Sequence, residues 1–180
     1  MGTPRAMIAA RLTVVLAALV IFVGGCGGGP SARAWAASVC TALTPWRAEI
    51  SSLTSGTDQQ MTAQTTPAQA KENLVRLLGG AEAATETARR KVVAAGVPDV
   101  EQGEAVARGF VESLGAVRDA YGRAKKRIEE LTTGQAAAFY DGVESTMKTL
   151  NREYNESALD TSTLNSMDLK RAFDEAPECR

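Results

Sequence analysis

The chain carries 20 Lys and Arg, 21 Asp and Glu, three cysteines and no histidine, and the missing imidazole settles much of its chemistry. A Ser-His-Asp or Cys-His nucleophile needs that ring as its base, the common zinc sites need it as a ligand, and His-ligated haem needs it on the axis. The remaining candidates are few. Ser145 and Lys148 stand one helical turn apart, where a lysine could activate a serine nucleophile. Arg89-Arg90-Lys91 and Lys125-Lys126-Arg127 are short basic runs of the kind that meet anionic polymers or lipids. Glu101 with Glu104, and Glu153 with Glu156, are i,i+3 carboxylate pairs able to hold a hard cation weakly.

None of these patterns is accompanied by the partners its chemistry requires. Ser145-Thr146-Met147-Lys148 resembles the SxxK of penicillin-recognising enzymes, but the SDN and KTG companions are missing and the flanking residues follow an amphipathic-helix period. An exposed serine and lysine is therefore expected. Glu86 precedes Arg89 and Arg90 at helical pairing distance, and Glu129 and Glu130 follow Lys125 and Lys126, which predicts ion pairs along solvated faces. The carboxylate pairs lack both a calcium loop and the Glu-x-x-His pattern of di-metal bundles. Glu101 is accounted for by a helix dipole starting near Asp99. Trp35 and Trp46 are expected to pack in a core rather than stack on a ligand. The residues imply no catalytic group, no metal and no cofactor.

The N-terminal stretch is more specific. Arg5 and Arg11 precede Leu12 to Val23, an uncharged apolar run of signal-peptide length, short of the ~20 residues a membrane span needs. Val23-Gly24-Gly25-Cys26 follows and resembles the lipobox of bacterial lipoproteins. That resemblance implies recognition of Val23, Gly24 and Gly25 by a signal peptidase and a diacylglyceryl group on Cys26, the first mature residue. Two acyl chains suit stable anchoring, since one alone holds a protein only marginally. An uncleaved anchor and an ordinary secretory signal are the other readings of the same run. The expected layout is a signal peptide over residues 1–25, a lipidated cysteine and flexible Gly-rich tether over 26–33, and a domain over 34–180.

Losing residues 1–25 removes Arg5 and Arg11 and takes the formal charge from −1 to −3. Such mild acidity argues against a nucleic-acid partner. With Cys26 lipidated outside the cytoplasm, Cys40 and Cys179 are left to pair in an oxidising compartment, free buried thiols being the alternative. Closing so long a loop is worth ~5 kcal/mol in the chain-entropy picture.

The positions that would carry these features fall on helical periods. Trp35, Val39, Leu43, Trp46, Ile50 and Leu53 share one face, with Thr44-Pro45 predicting a second helix start or a kink. Residues 55–66 are polar and read as a mobile loop. Thr66-Pro67-Ala68-Gln69 predicts a capped start. The helix it opens carries Ala70, Leu74, Leu77, Ala81, Ala84, Ala88 and Ala95, and Gly79-Gly80 within it predicts a tight crossing or a bend. Gly96-Val97-Pro98-Asp99 predicts a stop and a new start capped by Asp99, with the two helices antiparallel. Val106, Phe110, Leu114, Val117, Tyr121, Ala124, Ile128 and Leu131 form the longest stripe. Thr132 to Gln135 predicts a further turn with a cap, after which Ala136, Tyr140, Val143, Met147, Leu150 and Tyr154 line a fourth helix. A short last helix over 167–176, capped by Asn165 or Ser166 and ended by Pro177, leaves Cys179 near Cys40.

The whole layout resembles small actinobacterial lipoproteins: lipobox, tether, VCTAL-x-x-W, GVPD and a terminal AFDEAP-x-C. The resemblance implies a location and brings no activity with it. The expectation is an all-α antiparallel bundle of four to five helices, anchored through Cys26 to the extracytoplasmic face of the membrane. Its expected role is non-enzymatic binding of an envelope protein, or alternatively the carriage of an apolar small molecule between the helices.

Overall fold

A computed structural model describes residues 28–157 and 166–180. The described chain is an all-α bundle of α1 (Ala32–Gln60), α2 (Pro67–Ala94), α3 (Gly103–Glu130), α4 (Ala136–Ser157) and α5 (Met167–Glu175), followed by a 3-10 turn over Pro177–Cys179. Each helix start has a local cause. Ser31 Oγ accepts the Ala34 N–H at 3.3 Å to open α1. Thr66 Oγ1 accepts the Gln69 N–H at 3.3 Å while Gln69 Oε1 accepts the Thr66 N–H at 3.0 Å. That reciprocal box, with Pro67 in the first turn where no hydrogen bond is lost, is the start expected for α2. Ser166 Oγ accepts the Leu169 N–H at 3.3 Å and opens α5.

Three local expectations are overturned. The first is the second helix start at Thr44-Pro45, one of two readings there beside a kink: α1 runs through Pro45 as one helix. A proline there removes one intrahelical bond. Contacts on both sides hold the helix through it: Cys40 is bonded to Cys179, and Trp46 Nε1 donates to Thr85 Oγ1 at 3.0 Å. Thr44 is accordingly no helix cap; its hydroxyl donates to the Glu178 carbonyl at 3.4 Å. The second concerns the polar residues from Ser55, which extend α1 to Gln60. Thr57 lies buried there, because a polar sequence still forms helix when its neighbour supplies packing.

The third lies between α2 and α3. Gly96 takes the left-handed conformation expected of it, with φ +75°. The next helix begins at Gly103, with Gln102 at φ 60° and no side-chain cap. Asp99 serves elsewhere, its N–H donating to the Pro30 carbonyl at 2.9 Å. The chain turns so tightly that a β-carbon on Gly103 would sit 2.1 Å from the Pro98 carbonyl oxygen. Glu104, rather than Glu101, therefore occupies the first turn of α3. At the α3–α4 connection the helix likewise starts at Ala136, and the Gln135 carbonyl accepts the Phe139 N–H at 3.0 Å.

The antiparallel α2–α3 pair is the middle of the molecule, with α1 packed on α2, α4 packed on α3, and α5 on α1. At Gly80 the crossing with α1 is tight, since a β-carbon would sit 2.9 Å from both methyls of Leu53. Two apolar clusters result. One gathers Trp35, Val39, Val92, Phe110, Leu114 and Leu169, with Phe173 against it. The other gathers Leu74, Leu78, Ala120, Ala124, Ile128 and Leu150.

Candidate functional site

The two clusters are finished differently, and the difference makes the site. Around the first, α5 fills the space beside α1 and α3: Phe173 stacks on Phe110 with centroids 5.8 Å apart and meets the edge of Trp35 at 6.0 Å. Around the second, α1 and α4 stand on either side of the α2–α3 pair and, among the described residues, no helix covers the gap. A groove of about 520 Å³ opens there. Leu77, Leu78, Ala81 and Leu150 form its apolar floor, Ile50 and Met147 face it from α1 and α4, and Thr54, Asn151 and Asn155 give it a polar rim. Tyr121 and Tyr154 line it as a tilted pair, ring centroids 6.4 Å apart. Burial, with a smaller contribution from Tyr154, pushes the Tyr121 phenol up to about 12, so it stays a neutral hydrogen-bond donor. A mostly apolar concavity with a few polar groups at its edge can hold an amphipathic molecule or side-chain cluster.

The chemical candidates in the sequence do not converge on this groove. Ser145 lies exposed on α4, and Lys148 is paired with Glu144 one turn away. The bond to Glu144 raises the lysine pKa, the opposite of what a lysine base would need. Arg89 donates to Glu86 through Nε and Nη2, both at 2.8 Å, and Arg90 lies 3.9 Å from the same carboxylate. Arg118 of α3 joins them at 2.8 Å, a partner with no sequence signal. Hydrogen bonds from Arg89 and then Arg118 hold the Glu86 carboxyl down at about 2. Lys125 departs from expectation: its partner is Glu82 across the helix seam at 3.8 Å, not Glu129 along its own helix.

Of the carboxylate pairs, Glu153 binds Arg123 at 2.8 Å and Glu156 lies 3.9 Å from Arg152; Glu101 and Glu104 are exposed. Among the described residues no group of three or more His, Cys, Asp or Glu could hold a metal ion. Both tryptophans serve packing, Trp35 fully buried with its Nε1 donating to the Gly96 carbonyl at 2.9 Å. Cys40 and Cys179 are joined at 2.05 Å, with Cα atoms 5.0 Å apart. Val23, Gly24, Gly25 and Cys26 lie outside the described residues. Among the described helices none is long and apolar enough to cross a membrane.

Ile50, Leu77, Ala81, Tyr121, Met147, Leu150 and Tyr154 were visible only as members of helical stripes, and Thr54, Leu78, Asn151 and Asn155 carried no signal. Tyr121, Met147, Leu150 and Tyr154 have the period of a core face, and nothing in that period separates a residue that meets another helix from one that meets a gap. No protein-family model matches the chain, and neither a curated protein nor a solved structure does.

Proposed function

We propose that this chain is a lipid-anchored, extracytoplasmic, non-enzymatic binding module, held to the membrane through Cys26, and that the groove between α1 and α4 is where it binds. The observation that carries the reading is the groove itself, an apolar floor left open among the described helices. The lipobox-like Val23-Gly24-Gly25-Cys26 and the disulfide between Cys40 and Cys179, which suits an oxidising compartment, support the location. The pairing of Lys148 with Glu144 supports a role without nucleophilic chemistry.

The favoured occupant is an envelope protein. The size and lining of the groove favour one second reading, an apolar small molecule carrying a hydrogen-bond acceptor for Tyr121. A photo-crosslinking residue at Met147, introduced into the full chain in living cells, separates the two. A discrete adduct with an envelope protein that disappears in Leu77→Asp supports the first. An adduct of small-molecule mass, also lost in Leu77→Asp, supports the second. A probe that reacts with neither leaves the groove without a binding role. Intact mass from native membranes, with and without reduction, tests the anchor: a diacylated or triacylated chain starting at Cys26 is expected, and a chain retaining residues 1–25 overturns it.

A further inference from the structure

The arm that leads to Cys26 does not hang free. Gly28, Gly29 and Pro30 run against the α2–α3 turn, where the Asp99 N–H donates to the Pro30 carbonyl at 2.9 Å. Gly29 lies so close to the turn that a β-carbon would sit 2.0 Å from the Val97 carbonyl oxygen. Trp35 Nε1, bonded to the Gly96 carbonyl at 2.9 Å, fixes the same turn from the first helix. The arm, the turn and the start of α1 are thus one packed unit. From Gly28 to Cys26 is two residues, a reach of about 7 Å even fully extended. Beside the arm's exit the bundle shows two of its exposed large apolar side chains, Val93 at 52% and Val97 at 42%.

We propose that this end of the bundle rests on the membrane surface, with Val93 and Val97 in contact with the lipid interface. The proposal rests on the anchoring of Cys26 put forward above and replaces the free tether expected of residues 26–33. The partner is a lipid bilayer met through apolar contact. The exposed charges at this end, Arg33, Arg90, Lys91 and Arg108 against Asp99, Glu101 and Glu104, leave an excess of only one positive charge, so the contact proposed is apolar and not one of headgroup charge. The consequence is an orientation. Residues Gly103 to Tyr121 rise along α3 by about 27 Å at 1.5 Å per residue. The groove therefore stands roughly 25 Å from the bilayer, beyond the reach of lipid still embedded in it and open to whatever moves through the compartment.

The test uses the full lipidated chain in vesicles of zwitterionic phospholipid, with an environment-sensitive fluorophore on Val97→Cys or, at the opposite end of the bundle, on Gln135→Cys. Lipids brominated along the acyl chain should quench the Val97 probe several-fold more than the Gln135 probe. Gly29→Val, which drives the arm off the Val97 carbonyl without altering the helices, should abolish that difference while circular dichroism stays unchanged. Flotation reads the anchor separately. Chain that fails to float with the vesicles overturns the anchor and this orientation together, whereas chain that floats with equal quenching at both positions overturns the orientation alone.

Discussion

The lower half of the bundle, near Trp35, and the upper half, near Tyr121, are built on the same α2–α3 pair. The lower half is aromatic and covered on one side by α5. Trp35 meets Phe110 edge to face at 5.2 Å, Phe173 stacks on Phe110 and meets the edge of Trp35, and the bond from Cys40 to Cys179 fastens the last turn of the chain onto α1. The buried upper cluster is aliphatic, and a groove opens beside it. The lower half thus has a covalently clasped nine-residue helix over it, and the upper half has no counterpart among the described residues.

The largest effect expected from breaking this contrast is removal of the clasp. Cys40→Ala with Cys179→Ala should cost up to about 5 kcal/mol, because the disulfide closes a loop of 139 residues in the unfolded chain. Amide exchange should rise most in α5 and the first turns of α1, with α4 little changed. Equal loss of protection in both halves would mean that the disulfide stabilises the whole bundle and seals no particular part of it. Trp35→Ala should cost about 4 kcal/mol in urea unfolding, since it empties a fully buried site and leaves the Gly96 carbonyl without its donor. A loss below about 1 kcal/mol would show that the aromatic cluster is not what holds the lower half together.

The upper half should tolerate added volume. Gly122→Ala gains helix propensity, about 1 kcal/mol against glycine. Its new methyl would meet Glu82 Oε1 at 2.9 Å, the free end of a side chain that can swing aside. The cost is the solvent-facing pair of Glu82 with Lys125 at 3.8 Å, which contributes little. A net gain of about 0.5–1 kcal/mol in the urea midpoint is expected; a loss would mean the α2–α3 seam has no slack beside the groove.

Features written in neighbouring residues were legible before the structure. Thr66, Pro67 and Gln69 specify their own helix start, Gly96 supplies the left-handed stop, and Cys40 and Cys179 form the expected disulfide. What was not legible depends on residues distant in sequence. Pro45 breaks helices locally, yet packing from Thr85 and Cys179 carries α1 through it. Asp99 has the spacing of a cap, but the arm takes its N–H and the tight turn at Gly103 moves the helix start. The groove has no sequence signature because it is a place where a stripe lacks a partner among the described residues, and a stripe reads the same whether or not it is covered.

The smallest effect concerns the join between the halves. Glu86 lies between the α2 residues of the groove floor and those under Trp35, and it receives both Arg89 of its own helix and Arg118 of α3 at 2.8 Å. Its carboxyl is held at about 2, below its ordinary 4.5, chiefly by those two hydrogen bonds. A group whose folded pKa is lowered stabilises the fold fully above its unfolded value and ceases to do so as pH falls through the folded one. The excess stability of wild type over Glu86→Gln should therefore be level from pH 7 down to about 4.5 and vanish as pH approaches about 2. The side chain is partly solvated, so water screens the pair and the excess should be small. Comparing the two proteins cancels the titration of the other carboxylates, which both share. An excess that persisted unchanged at the acid end would mean that the arginines hold α2 to α3 by packing their stems over the seam, with their charge contributing nothing.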